Sequence, residues 1–282
     1  MGLFATAVVA VVAGSCGGEP EGEVEVGKVI LKDSQQVASQ RLAPLPEART
    51  EVVGAAWEGK VAVIGGLTES DGGTAVARVD LYHPANDSWS SGPPLPVPLH
   101  HAGAAVLAGR LYVAGGFTNL PGAAWTPQSA VWSLGVGEAQ WRPEAPLATP
   151  RGALALAALG TRLFALGGAD GKQVLRSVEI LELGSTWKPG PDLASEREHL
   201  AATVARGRVF AIGGRVGSLE SNRDQVESLA PGDKAWRQER PLGYNRGGIG
   251  AASPMDRACV AGGEAIANAD QGDTIKPVEC LD

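Results

Sequence analysis

The hydrophobic pattern of this chain is one short phrase repeated five times, a few apolar residues running into a Gly-Gly doublet. It reads VAVIGG at Val61–Gly66, LYVAGG at Leu111–Gly116, LFALGG at Leu163–Gly168, VFAIGG at Val209–Gly214 and ACVAGG at Ala258–Gly263. The doublets begin at Gly65, Gly115, Gly167, Gly213 and Gly262, so the steps are 50, 52, 46 and 49 residues. A period of that size marks a repeat architecture, in which each unit buries its faces only by stacking on its neighbours.

Aligning the units on the doublets predicts four short strands in each. A small or apolar run, a tight turn and the apolar phrase form an antiparallel hairpin, as in AGAAVL, Ala108-Gly109-Arg110 and LYVA of the second unit. A third strand begins with Val79, Val131, Val178, Val226 or Val278 and carries Tyr82, Leu134, Leu181, Leu229 or Leu281 three residues later. A fourth carries Trp89, Trp141, Trp187 or Trp236, with Leu95, Leu147, Leu193 or Leu242 six residues on. Helical periodicity is absent. Four antiparallel strands per unit, stacked around an axis, are the blades of a β-propeller.

The apolar run into Gly-Gly, the spaced Trp and the Pro-Leu before the next hairpin resemble the kelch-repeat family over roughly Ser39–Asp282. That resemblance implies an all-β, kelch-type β-propeller of five four-stranded blades. Kelch rings more often have six or seven, and Gly22–Ala38 is the segment left for a degenerate sixth. The fifth unit stops after its third strand at VECLD, while SQRLAPL at Ser39–Leu45 fits the fourth-strand template. The N- and C-terminal strands are therefore expected to share a closing blade, which removes an open sheet edge. Cys259 and Cys280 fall on adjacent antiparallel strands of that blade. A disulfide is expected there, the alternative being two buried thiols.

The apolar run LFATAVVAVVA at Leu3–Ala13 has signal-peptide length and is too short to span a bilayer. Gly14-Ser15-Cys16 after it resembles the lipobox of bacterial lipoproteins, which implies lipidation of Cys16. Ala13 stands where that family prefers Leu, and Met1-Gly2 supplies no positive charge. Residues 1–15 are read as signal peptide and 16–38, with Glu19, Glu21, Glu23 and Glu25, as an acidic Gly-rich tether. The expected location is the periplasm or cell surface, lipid-anchored to the bacterial outer membrane. A net charge of −7 and a pI near 5.2 exclude nucleic acid as an expected partner.

Candidate chemistry sits on the face of the long loops after the doublets. Arg49, Arg151, Arg197 and Arg246 recur four residues after the Leu, with Leu99, then His100 and His101, breaking the column in unit two. In kelch rings this place lies near the mouth of the central channel. The guanidinium groups would hold a carboxylate or an acidic peptide; alternatively they pair with carbonyls or acids of a neighbouring blade. His101 and His199 share one repeat position, but no third ligand is indicated, so neither a metal nor a cofactor is expected. Trp125, beside Phe117 in the second loop, is a candidate anchor for a partner or a sugar ring.

Kelch-like enzymes include copper-radical galactose oxidases and sialic acid mutarotases. The first need a Tyr and His constellation that this chain lacks; for the second, Glu51 and Glu198 lie near the right height. The expected function is a monomeric, envelope-anchored binding or scaffold module that offers its loop face to a protein, peptide or glycan. The alternative is a carbohydrate-directed enzyme at the channel mouth.

Overall fold

A computed structural model describes residues 29–30, 36–37, 42–68, 73–119, 124–268, 271–274 and 278–281. The signal peptide, Cys16 and most of the tether lie outside these residues. The tether region contributes a short antiparallel pair, Val29–Ile30 with Gln36–Val37.

Four blades are four-stranded antiparallel sheets with strands in sequence order. Blade one comprises Val53–Trp57, Lys60–Ile64, Val79–His83 and Ser88–Ser91. Blade two comprises Gly103–Leu107, Arg110–Ala114, Val131–Leu134 and Arg142–Pro143. Blade three runs from Ala155–Leu159 to Trp187–Pro189, and blade four from Ala201–Ala205 to Arg237–Gln238. Blade five pairs Gly247–Ala252 with Ala258–Asn268, which also pairs with Glu279–Leu281. Cys259 faces Cys280 in that register, and the two form a disulfide.

The core is not one mass but four seams. Each joins the facing sides of consecutive blades, for example Ile64, Leu81 and Trp57 against Leu111, Val113 and Leu134. Every fourth-strand Trp also reaches back across a seam. Trp141, Trp187 and Trp236 donate Nε1–H to the carbonyls of Pro93, Ala145 and Pro191, at 2.9, 2.8 and 2.8 Å. Trp89 does the same to Ala43 at 2.9 Å. Residues 42–46 therefore sit where the tail of a preceding fourth strand belongs. The earlier part of the SQRLAPL strand, through Arg41, is outside the described residues.

The Gly-Gly doublets explain the blade spacing. A Cβ on the first glycine would lie 2.3 Å from the Leu99 carbonyl oxygen at Gly65, and 2.4, 2.4 and 2.6 Å from those of Arg151, Arg197 and Arg246 at Gly115, Gly167 and Gly213. In each case the carbonyl belongs to the next blade, so backbone meets backbone at the seam. The second glycine then donates its N–H to that same carbonyl, as Gly168 does to Arg197 at 2.9 Å. Gly262 is different, because nothing lies within 4 Å of its Cβ position. Among the described residues, no packing comparable to the other four seams joins blade five to blade one.

Candidate functional site

Two residues after each Arg or Leu of the repeated column, the chain turns through left-handed backbone. Glu51, His101, Ala153, His199 and Gly248 have φ of 53, 55, 53, 51 and 65°. Such angles cost a non-glycine residue about 1–3 kcal/mol and persist only where the surroundings impose them. Here the surroundings are a chain of backbone hydrogen bonds from blade to blade. The N–H groups of His101, Ala153, His199 and Gly248 donate to the carbonyls of Glu51, His101, Ala153 and His199. The sharp turn brings the side chains of this column together at the channel mouth.

Three of them converge. His101 Nε2 lies 2.9 Å from Glu51 Oε2, and the His101 and His199 rings are 4.8 Å apart. Single ligand atoms of Glu51, His101 and His199 all fall within 4.8 Å of one another. Blade three, which stands between His101 and His199, contributes the small residues Gly152, Ala153 and Ala169 at these heights. Those small residues let the imidazoles meet, and the Phe117 ring packs where a Cβ on Gly152 would be. The expectation that the histidine pair lacks a third ligand is therefore corrected. Glu51 supplies it from blade one, because the circular order of blades brings the column's first and fourth members to the same opening.

Burial tends to raise the Glu51 pKa, but the hydrogen bond from His101 and the charges of His101, His199 and Arg215 overcome it and hold the group at about 2. His100 falls to about 4, chiefly through burial and then through His101. His101 is lowered by burial, with Glu51 opposing. At neutral pH the mouth thus holds an ionised carboxylate beside the neutral imidazoles of His100 and His101. His100 Nδ1 meets His101 Nδ1, whereas neither of the buried ring nitrogens of half-buried His199 makes a hydrogen bond. Its Nδ1 is 3.5 Å from Glu198 Oε1, beyond ordinary hydrogen-bond length. Trp125 covers this floor, with its ring 4.6 Å from His100, 4.9 Å from His101 and 5.6 Å from Phe117, and remains 47% exposed. A surface cleft of about 680 Å³, lined by Asp170, Gln173, Arg176 and Glu196, lies elsewhere. Its polar side chains carry no orphaned buried atom, so the mouth is the better candidate site.

The Arg column is not part of this site. Arg151, Arg197 and Arg246 are fully buried and Arg49 is 5% exposed. Each donates Nη1–H to the first-glycine carbonyl of its own blade, at 2.8 Å from Arg49 to Gly65 and 3.0 Å for the other three. Each also pairs with an acid on its own third strand, Asp80, Glu179, Glu227 or Glu279. Burial lowers the guanidinium pKa values, and these acids oppose it. The expectation that Arg49, Arg151, Arg197 and Arg246 hold a carboxylate is therefore corrected: their charge is already matched inside the blade. In blade two both partners change together. Leu99 replaces the Arg and Trp132 replaces the acid, and they pack in one apolar cluster.

A kelch motif family model matches residues 98–148, which span blade two. Together with the five-blade pattern, this decides the repeat. The repeats are kelch repeats. The chain is 29% identical over 204 residues to Kelch-like protein 35 of Mus musculus, covering 72% of this chain and 34% of that protein. It is 26% identical over 136 residues to Beta-scruin of Limulus polyphemus, covering 47% of this chain and 15% of that protein. This chain thus spans about a third or less of these kelch relatives. A solved structure described as "Structure of YjhT" superposes with a TM-score of 0.71 over 89% of each chain at 15% identity, a likeness of fold.

Proposed function

We propose that the chain is an exported kelch module, tethered to a bacterial envelope through Cys16, that engages a protein, peptide or glycan at the channel mouth. The observation that carries this reading is Trp125. A large aromatic ring left half-exposed over a cluster of buried rings has the character of a binding anchor. Trp125→Ala is expected to weaken capture of the natural partner at least tenfold while leaving the melting temperature within a few degrees. Unchanged capture by a folded variant would remove Trp125, and the mouth face with it, from the proposal. Anchoring is tested separately, by following metabolic lipid labelling of the chain and of Cys16→Ser.

A second reading, a carbohydrate-directed enzyme at the same mouth, rests on the Glu51–His101 contact, which places a carboxylate and an imidazole within proton-transfer distance. Anomer exchange of galactose or free sialic acid, followed by NMR and abolished in Glu51→Gln, would favour it over the binding module.

A further inference from the structure

We infer that Glu51, His101 and His199 form a divalent transition-metal site at the channel mouth, of the zinc-binding His2Glu type with a coordination position left open towards solvent. The inference goes beyond the partner-binding reading and is testable without a partner.

Four observations carry it. First, the donor set is right for a borderline cation. Two imidazoles and one carboxylate are the protein ligands of open catalytic-type zinc sites, and the fourth position goes to water or a ligand. Second, the donors are already gathered, within 4.8 Å of one another, from blades one, two and four. Third, His199 is an anomaly without a metal. Both ring nitrogens are buried and neither has a hydrogen-bond partner. A buried polar group left so costs about 1–3 kcal/mol, which a ligated nitrogen does not incur. Two further buried atoms without partners are His100 Nε2, on the ring against His101, and Asn222 Oδ1, on the side chain bonded to the Glu264 carbonyl.

Fourth, a group that could serve as outer partner stands near the second ring nitrogen of each histidine. A ligating His holds its orientation by donating its other ring N–H to an acceptor. His101 Nδ1 has His100 Nδ1 beside it, and His199 Nδ1 has Glu198 Oε1 at 3.5 Å. Both arrangements leave Nε2 of each ligand for the metal. The surrounding charge agrees. Glu198 and Glu264 stand beside the site with Glu51, and Arg215 lies between them, pairing with Glu264 and 3.9 Å from Glu198. A dication therefore neutralises local negative charge. Backbone strain in this column is no obstacle to testing, because Ala153 holds the same left-handed turn in blade three.

The test is isothermal titration of chelator-treated full-length chain, free of any histidine tag, with ZnCl2. Co²⁺ absorption then serves as a reporter of ligand geometry. One equivalent of Zn²⁺ is expected to bind. His199→Ala and Glu51→Gln should each weaken it at least about 100-fold, and His100→Phe, which removes only an outer partner, by about tenfold. His83→Ala, remote on the opposite face, should bind as the parent does. Absence of stoichiometric Zn²⁺ binding by the parent overturns the inference. So does binding that survives both Glu51→Gln and His199→Ala in variants that melt as the apo parent does. Zinc binding with Trp125→Ala inert would uphold the metal site while refuting the partner reading, so the two fail separately.

Discussion

Arg49, Arg151, Arg197 and Arg246 stand two residues before Glu51, Ala153, His199 and Gly248, yet the two columns have opposite characters. The Arg column is nearly uniform in sequence and buried, and its charge is matched inside each blade by an acid, with a glycine carbonyl accepting from Nη1. The next column is varied in sequence, shares one backbone conformation, and includes His199, of which neither ring nitrogen has a hydrogen-bond partner. Uniformity signals a part that every blade needs in order to stand. Variation on a fixed backbone signals freedom to do chemistry. Blade two sharpens the contrast, since Leu99 and Trp132 do apolar duty where the other blades use Arg and an acid. Replacing a buried ion pair by packed apolar groups is commonly neutral, whereas losing one partner is not.

The largest expected effect breaks the uniform column. Arg197→Ala leaves Glu227 charged and fully buried, and should cost about 3–5 kcal/mol in denaturant unfolding. Leu99→Arg should cost a similar amount for the mirror reason, and Trp132→Glu added to it should restore most of the loss. If the double variant is no better than the single, the two columns of blade two are not coupled as described.

Next in size is a comparison of glycines. Gly167→Ala pushes a Cβ to 2.4 Å from the Arg197 carbonyl, at φ 58°, and should cost about 2–5 kcal/mol from crowding and strain together. Gly262→Ala meets nothing within 4 Å and should cost about 1 kcal/mol from strain alone. Equal costs would mean that blade five is sealed against blade one in solution as tightly as the other seams are.

A smaller, pH-dependent effect probes the mouth. His100 has a pKa lowered to about 4 from 6.5, so the unfolded chain takes up its proton first. That contribution to stability is intact above pH 6.5 and is lost as the pH falls towards 4. His100→Phe should therefore lose less stability than the parent over that interval, by urea midpoint; parallel curves would contradict a buried neutral imidazole. The smallest expected change is His199→Ala. It should shift stability by less than about 1 kcal/mol in the absence of metal, since Ala153 already occupies the equivalent turn.

Much of this was legible in the residues. The period of the doublets, the Val and Trp columns and the kelch resemblance follow from which positions must be small, apolar or aromatic for blades to stack. Those requirements are local and repeat, so they print themselves on the sequence. The burial of the Arg column had a readable signal, an acid one residue after the third-strand Val in Asp80, Glu179, Glu227 and Glu279, absent in the one unit that lacks the Arg. The third member of the histidine group was harder to see. Glu51 lies in the same column as His101 and His199, but a column names a height on a blade and says nothing about which blades face each other.

The sequence by itself determined the blade, its strand order and the contacts between consecutive blades, because those contacts join residues at fixed repeat offsets. Tertiary structure alone decided two things. It brought Glu51 of blade one to the histidines of blades two and four, through a shared left-handed turn and small residues in the blade between them. It also left Gly262 without the neighbour that the other four doublets have. Both depend on how the stack curves around its axis, which is a sum of small rotations over every seam and not a property of any one repeat.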